Sequence, residues 1–318
     1  MRVAFVGKGG SGKTTLSSLF ARYVARQGGP VVAIDADINQ HLGLVLGLDP
    51  AALPEPLGVH IGEIKEYLRG ENPLIASAGS MVKTTPPGRG SRLVGLDDPF
   101  FADRFTTAVQ GFGLMVTGPF SEDDLGVACY HSKVGAVELF LNHLVDGRDE
   151  YVIVDMTAGG DSFASGMFTR FDMTFLVAEP TRQGVSVYRQ YRDHARDFDV
   201  PITVVGNKVH SAADVAFLQE QVGEDLLVCL EHSPAVRAME QGRAFTLEDL
   251  EPANRQALVT LLARVQAQEK DWERFGRQTI EFHVRNAEAW ANRATGEDLR
   301  KQIDHGFVFG ERPTVPAG

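Results

Sequence analysis

A glycine-rich segment near the start of the chain constrains its fold more than any other feature. Residues 7–15 read Gly-Lys-Gly-Gly-Ser-Gly-Lys-Thr-Thr and match the pattern G-x-x-x-x-G-K-T, with Lys13 and Thr14 as its last two positions. The segment follows the apolar run 3–6 and precedes an amphipathic stretch, which is the strand–loop–helix context that the pattern requires. The sequence therefore predicts a phosphate-binding loop at the N-terminus of a helix.

The residue types in this loop suit a nucleoside triphosphate with magnesium. Glycines let successive backbone N–H groups turn toward a phosphate without interference from Cβ atoms, and the helix N-terminus adds positive potential. We expect Lys13 to contact the β- and γ-phosphates and the Thr14 hydroxyl to ligate Mg²⁺. We predict that the chain binds ATP and hydrolyses it. The predicted nucleotide-binding residues of the loop are Gly9, Gly10, Ser11, Gly12, Lys13, Thr14 and Thr15.

Short apolar runs alternate with longer amphipathic segments along the chain. The runs that predict strands lie at residues 3–6, 31–34, 114–117, 151–154, 174–178, 202–205 and 226–230. Most are continuous stretches of Val, Ile and Leu, which is typical of parallel strands that helices cover on both faces. We therefore predict an α/β fold: a doubly wound, mainly parallel sheet of seven or eight strands with helices on both faces.

The pattern also divides the chain into a main domain and a helical C-terminal extension. We predict a nucleotide-binding domain over residues 1–253, with a mobile loop inserted around 77–107, where prolines and glycines cluster. This loop either covers the edge of the active site or is a surface loop without a function. Residues 254–318 are expected to be helical, with aromatic side chains that pack on the main domain or on a second subunit, and to end in a disordered tail.

Composition limits the partners and the compartment. The chain of 318 residues has a formal net charge of -11, which argues against non-specific binding to nucleic acid or to an anionic membrane. It has two cysteines, Cys129 and Cys229, and no apolar run approaches the length of a membrane span. We expect a soluble, cytoplasmic protein that has neither nucleic acid nor a membrane as its partner.

Acidic residues follow two predicted strands, at the edge where ligands bind in sheets of this kind. Asp35 and Asp37 follow the run 31–34, and Asp155 follows the run 151–154. We interpret Asp155 as the carboxylate that holds a Mg²⁺-bound water. Gly159 is then part of a segment that reorders when the γ-phosphate leaves. Asp35 is expected near Mg²⁺, but either Asp35 or Asp37 could instead only cap the next helix.

A second lysine, Lys8, makes the phosphate loop more specific. With Lys8, the loop resembles the deviant Walker A motif of the ParA, MinD and nitrogenase-iron-protein class of P-loop ATPases. The resemblance implies a homodimer in which Lys8 reaches the partner's ATP and supplies positive charge as the transition state forms. It also implies that Asp37 positions the attacking water.

Two segments after later strands are assigned to the nucleoside. In this class an asparagine at the end of a strand reads the adenine edge, so we predict Asn207, with Lys208 beside it, as the base-recognition residue. The segment Ser-Pro-Ala-Val at 233–236 has two interpretations. Pro234 either contributes a backbone wall for the adenine or only marks a helix start with proline in its first turn.

Four segments together resemble one branch of the class, the CooC-type accessory ATPases that help to insert nickel into carbon monoxide dehydrogenase. The segments are residues 34–37, 154–159, 179–182 and 205–209. These relatives carry a Cys-x-Cys pair that binds metal across the dimer axis, whereas here Cys129 is followed by His131. Two Cys-x-His pairs would make a Zn²⁺ or Ni²⁺ site between subunits. The alternative is a buried cysteine and a surface histidine.

The resemblance favours a dimerising ATPase that acts as a maturation or delivery factor for a client enzyme that the sequence does not identify. ATP would close the dimer and hydrolysis would open it, with ATP and Mg²⁺ as the ligands and metal insertion as one form of delivery. Two alternatives stay open. One is a nucleotide-gated regulatory switch with slow turnover. The other is a positioning ATPase of the ParA/MinD kind that binds DNA or membrane, against which the acidic balance counts.

Overall fold

A central sheet organises the chain. The computed structural model describes residues 1–37, 39–119, 130–159, 163 and 166–310, with residues 130–132 described as backbone only. The eight strands of this part of the chain are β1 (Arg2–Gly7), β2 (Val31–Ala36), β3 (Thr107–Val109), β4 (Phe112–Val116), β5 (Tyr151–Met156), β6 (Met173–Ala178), β7 (Ile202–Val209) and β8 (Leu226–Glu231). Their order across the sheet is β3-β4-β2-β5-β1-β6-β7-β8, and within it β3 and β4 form the one antiparallel pair.

Helices cover the sheet. The α-helices of the described residues are α1 (Lys13–Arg26), α2 (His41–Val45), α3 (Ile61–Arg69), α4 (Pro99–Arg104), α5 (Tyr130–His143), α6 (Arg182–Ala195), α7 (Ala212–Val222), α8 (Pro234–Glu240), α9 (Pro252–Gln266), α10 (Trp272–Asn286) and α11 (Asn292–Thr295). A π-helical turn, Ala287–Ala291, joins α10 to α11 into one helical run. No helix in the described ranges is long and apolar enough to cross a membrane.

Two hydrophobic cores lie on opposite faces of the sheet. Side chains alternate along β1, so that Ala4 and Val6 join one core while Val3 and Phe5 join the other. The first core includes α3, α5, α6 and α7, and the second includes α1 and α9. This arrangement confirms the predicted doubly wound, mainly parallel sheet with helices on both faces.

The seven predicted strands are all present, and the strand that sequence analysis did not predict is β3. It has three residues at the edge of the sheet and pairs with β4 through a tight turn at Gln110 and Gly111, whose φ angles are 50° and 90°. A run this short carries no detectable apolar periodicity. The turn residues were the available signal, because consecutive positive φ angles suit a two-residue hairpin turn.

The segment 77–107, which we expected to be a mobile loop, packs against the C-terminal extension. The Gln302 side chain donates to the Ser80 carbonyl at 2.9 Å, and the Arg89 guanidinium pairs with the Asp304 carboxylate at 2.8 Å. The segment also contains α4 and ends at the first residue of β3. This contact with the extension was not predicted, and the mobility of the segment stays a prediction.

The C-terminal extension packs on the rest of the chain through one of the two cores and through polar contacts. Leu258 and Leu261 of α9 lie in the core beneath α1, and the buried Arg170 donates to the Phe275 carbonyl of α10 at 3.3 Å. The predicted helices are therefore present and pack on the main domain. The division of the chain at residue 253 stays a prediction. The predicted disordered tail at 311–318 lies outside the described residues.

Candidate functional site

The loop between β1 and α1 presents backbone N–H groups at one edge of the sheet. Gly12 has a φ of 94°, and a Cβ atom there would lie 2.2 Å from Asn207 Nδ2, so that only glycine fits. Among the described residues, α1 has no side-chain cap and no acidic residue in its first turn. Its N–H groups and its positive end are therefore available to an anion.

Two side chains from the end of β7 hold the loop from behind. Asn207 Nδ2 donates to the Ser11 carbonyl at 2.8 Å, and Lys208 Nζ donates to the Gly10 carbonyl at 2.5 Å. Lys208 Nζ also donates to the Glu179 carboxylate at 2.7 Å, and these contacts hold Lys208 at a φ of 58°. The structure thus brings Asn207 and Lys208 to the loop, where they donate to two successive carbonyls.

Asp35 lies at the end of β2 and is fully buried. Its carboxylate accepts hydrogen bonds from the Asp37 N–H at 3.1 Å and from the Leu42 N–H at 2.9 Å, in the first turn of α2. Asp35 therefore caps the next helix, which is the alternative that the sequence left open. Burial and the neighbouring Asp155 charge raise the pKa of Asp35 well above its ordinary value. Its place near Mg²⁺ stays a prediction.

Asp155 lies beside Asp35 at the end of β5. Burial raises the pKa of Asp155 to about 7, while the Thr14 hydroxyl and the Lys13 charge act in the opposite direction. Within the described part of the chain, neither carboxylate oxygen of Asp155 accepts a hydrogen bond with full geometry. A buried carboxylate with unused acceptors fits a cation or its water shell, and carboxylate and hydroxyl oxygens are the ligands that Mg²⁺ takes.

The two lysines of the loop have different surroundings. Lys13 is only 6% exposed, and its charge reaches Asp155. Lys8 lies at the surface, where its Nζ donates to Gln183 Oε1 at 3.0 Å in the first turn of α6. Lys13 therefore lies in the phosphate-binding site of its own chain, whereas Lys8 lies at the protein surface.

Asp37 and Gly159, the residues predicted to position the attacking water and to lie in a reordering segment, follow β2 and β5. Asp37 Oδ1 accepts from the backbone N–H of Asn39 at 3.0 Å in a short turn. Gly159 has a φ of 75°, and a Cβ atom on Gly9 would lie 3.8 Å from the Ala158 Cβ, so that the segment after β5 lies against the loop.

The proposed metal pair is not described by the structure. Cys129 lies outside the described residues, as does the side chain of His131. Among the described residues there is no cluster of three or more His, Cys, Asp or Glu side chains that could hold a metal ion.

A cavity of about 260 Å³ adjoins the loop, between α1 and α8. The residues that α8 and its cap present to it are Ser233, Val236, Arg237 and Glu240. Glu240 Oε1 accepts from the Thr15 hydroxyl at 2.6 Å across the mouth of the cavity. Val236 belongs to the predicted segment 233–236, whereas Arg237 and Glu240 were not predicted, although their spacing from Ser233 is that of one helix face.

The local structure at Pro234 is that of a helix start, which is one of its two predicted roles. It is the first residue of α8, and the Ser233 hydroxyl caps the helix by accepting from the Val236 N–H at 3.0 Å. The wall of the cavity is formed by its neighbours Ser233 and Val236. A contact between Pro234 and the base stays a prediction.

Comparisons with known proteins agree with this geometry. The family model described as "CobQ/CobB/MinD/ParA nucleotide binding domain" matches residues 3–303. The carbon monoxide dehydrogenase accessory protein CooC from Rhodospirillum rubrum is 28% identical over 265 residues, which cover 83% of this chain and 95% of that protein. An uncharacterized ATP-binding protein from Methanocaldococcus jannaschii is 29% identical over 227 residues, or 71% of this chain and 81% of that protein.

Solved structures show the same fold at low sequence identity. A ParA family ATPase from Chlorobium tepidum superposes with a TM-score of 0.58 at 15% identity, covering 83% of this chain and 98% of that one. The septum site-determining protein MinD from Pyrococcus horikoshii, complexed with Mg-ADP, gives a TM-score of 0.53 at 15% identity, covering 84% and 99%.

Proposed function

The chain belongs to the CobQ/CobB/MinD/ParA family of nucleotide-binding domains, and on that premise we propose that it is an ATPase that closes as a homodimer around ATP and serves the maturation of a client enzyme. The observation that carries the proposal is the buried Asp155 carboxylate, which lies near Thr14 and Lys13 and receives no full hydrogen bond from the described residues. A phosphate loop alone binds an anion, whereas this carboxylate adds a site for the cation that accompanies ATP.

The residues of the loop would divide the binding of the triphosphate among them. Backbone N–H groups of residues 9–15 surround the phosphates, and the Lys13 ammonium neutralises charge on the β- and γ-phosphates. The Thr14 hydroxyl and Asp155, the latter through water, would hold Mg²⁺, which supplies positive charge against the same phosphates. Asp37 orients the attacking water.

Lys8 completes the site from the other subunit in this proposal. Its surface position and its hydrogen bond to Gln183 keep the ammonium outside its own nucleotide site. A cation delivered only when two subunits meet would make hydrolysis depend on dimer closure. We therefore propose that this chain dimerises when it binds ATP.

The proposal of a maturation role is supported by the relative of R. rubrum, which is named as an accessory protein of carbon monoxide dehydrogenase. Whether metal is carried is a separate hypothesis, in which Cys129 and His131 of two subunits form a Zn²⁺ or Ni²⁺ site. Metal analysis of the purified protein and of the Cys129→Ser variant tests it. Equal metal content in the two proteins would contradict the hypothesis.

Binding and turnover measurements test the ATPase proposal itself. We expect the wild-type protein to bind MgATP in calorimetry and to release phosphate, and we expect the Lys13→Ala variant to lose both. Lys301→Ala, at an exposed lysine of the C-terminal segment, is the matched control and should behave as wild type. Unimpaired MgATP binding by Lys13→Ala would show that the loop does not hold the triphosphate.

A further inference from the structure

We propose that His232, backed by His210, is the surface on which the adenine ring of the nucleotide stacks. The inference rests on the proposed function, because it takes the cavity beside the phosphate loop as the place of the nucleoside. It adds a base-positioning residue that neither the motifs nor the relatives identify.

The two histidines form a stacked pair at the edge of the sheet. His210 follows β7 and His232 follows β8, and because these strands are parallel neighbours their ends lie side by side. The ring centroids are 4.9 Å apart, with an angle of 24° between the planes. The His232 ring, with His210 stacked on it, belongs to a residue that lines the cavity beside the phosphate loop.

The backbone at both positions is fixed. The His232 N–H donates to the Val209 carbonyl at 3.0 Å, and the His210 N–H donates to the Asp214 carboxylate at 2.8 Å. The stacked His210 ring favours one orientation of the exposed His232 ring. Preorganisation of this kind lowers the entropic cost of binding.

The cavity suits a flat aromatic base. Its lining includes the aliphatic side chains of Leu16, Leu19 and Leu230, and His232 is the one aromatic ring among the described residues that line it. Asn207 also lines the cavity and donates to the phosphate loop. A base whose edge meets Asn207 therefore lies within the cavity to which His232 contributes its ring. Bases stack on aromatic side chains, including histidine, through their π-faces.

Binding of two ligands by three variants tests the inference. The ligands are MgADP, which carries the base, and magnesium tripolyphosphate, which has the phosphates alone. The variants are His232→Ala, His232→Phe and His305→Ala. His305 is exposed in the C-terminal segment and does not line the cavity, so it serves as the matched control.

We expect His232→Ala to bind MgADP about tenfold more weakly than wild type and to bind tripolyphosphate unchanged. His232→Phe should restore binding of MgADP, because phenylalanine keeps the aromatic face but not the ring nitrogens. His305→Ala should match wild type for both ligands.

Three results would overturn the inference while leaving the proposed function intact. They are unchanged MgADP binding in His232→Ala, an equal loss of both ligands in that variant, and a failure of His232→Phe to restore binding. If instead wild-type protein bound neither ligand, the proposed function itself would fail.

Discussion

Asp35 and Asp155 are register partners on the neighbouring strands β2 and β5, and both carboxylates are buried. Asp35 is satisfied by two backbone N–H groups of its own loop, whereas Asp155 receives no full hydrogen bond from the described residues. Two adjacent carboxylates in a region of low dielectric disfavour ionisation. The pair therefore favours a divalent cation at the edge of the phosphate loop.

Replacing Asp155 with asparagine should stabilise the protein in the absence of nucleotide. The pKa of Asp155 is about 7, against an ordinary 3.8. Because the folded state binds this proton more tightly, the group's contribution to stability falls as the pH rises from about 4 through 7. The difference corresponds to about 4 kcal/mol in the free energy of unfolding, as an upper figure. Asn cannot ionise, so Asp155→Asn should melt at a higher temperature at pH 8 and show little difference at pH 4.

The same variant should lose the stabilisation that Mg²⁺ adds to bound nucleotide. Melting temperatures with ADP, measured with and without Mg²⁺, give this comparison directly. A lower melting temperature for the ligand-free variant at pH 8 would show that the Asp155 carboxylate is well compensated in the folded protein.

The orientation of the Asn207 amide predicts a preference for adenine over guanine. One N–H of Nδ2 donates to the Ser11 carbonyl, which fixes the orientation of the amide and leaves Oδ1 as an acceptor for the 6-position of the base. The 6-amino group of adenine is a donor and matches it, whereas the 6-oxo group of guanine is an acceptor and is repelled. We expect MgATP to bind at least about tenfold more tightly than MgGTP in competition measurements. Equal affinities would refute this reading of Asn207.

Neutralising Glu240 should tighten nucleotide binding. The Glu240 carboxylate accepts the Thr15 hydroxyl hydrogen at 2.6 Å, and Thr15 belongs to the predicted phosphate-binding residues. A phosphate that accepts a hydrogen bond from the Thr15 hydroxyl would lie near the Glu240 carboxylate. The two negative charges repel each other, although solvent partly screens the repulsion. Glu240→Gln should therefore bind MgADP roughly three- to tenfold more tightly. Glu248→Gln, also exposed but outside this cavity, is the control, and weaker binding by Glu240→Gln would mean that the carboxylate itself contacts the nucleotide.

Much of the fold and the centre of the site could be predicted from the sequence. Buried parallel strands read as continuous apolar runs, and Lys13 and Thr14 occur at fixed spacing in a loop whose geometry requires glycine. Asp155 follows its strand directly. Each of these signals is local, because it depends on a few consecutive residues.

What could not be predicted depends on contacts between distant parts of the chain. The proline-rich segment around Arg89 looked mobile because its partner Asp304 lies 215 positions away. The sequence left open whether Asp35 caps the next helix, because it does not show that the Leu42 N–H donates to the Asp35 carboxylate. Glu240 and His232 line the cavity because α8 and the end of β8 lie beside α1, and the sequence does not show this contact. Capping and long-range pairing need the assembled structure.

In the proposed mechanism Lys8 acts on the ATP of the other subunit, and a mixing experiment with two variants tests this role. Lys8→Ala and Asp37→Ala homodimers should each hydrolyse ATP very slowly. In a mixed dimer, one site would combine an intact Asp37 with an intact Lys8 from its partner. An equal mixture should therefore regain about a quarter of the wild-type phosphate release, since half of the dimers are mixed and each has one complete site. If the mixture stayed as inactive as its components, or if Lys8→Ala alone hydrolysed ATP at the wild-type rate, Lys8 would not act in trans.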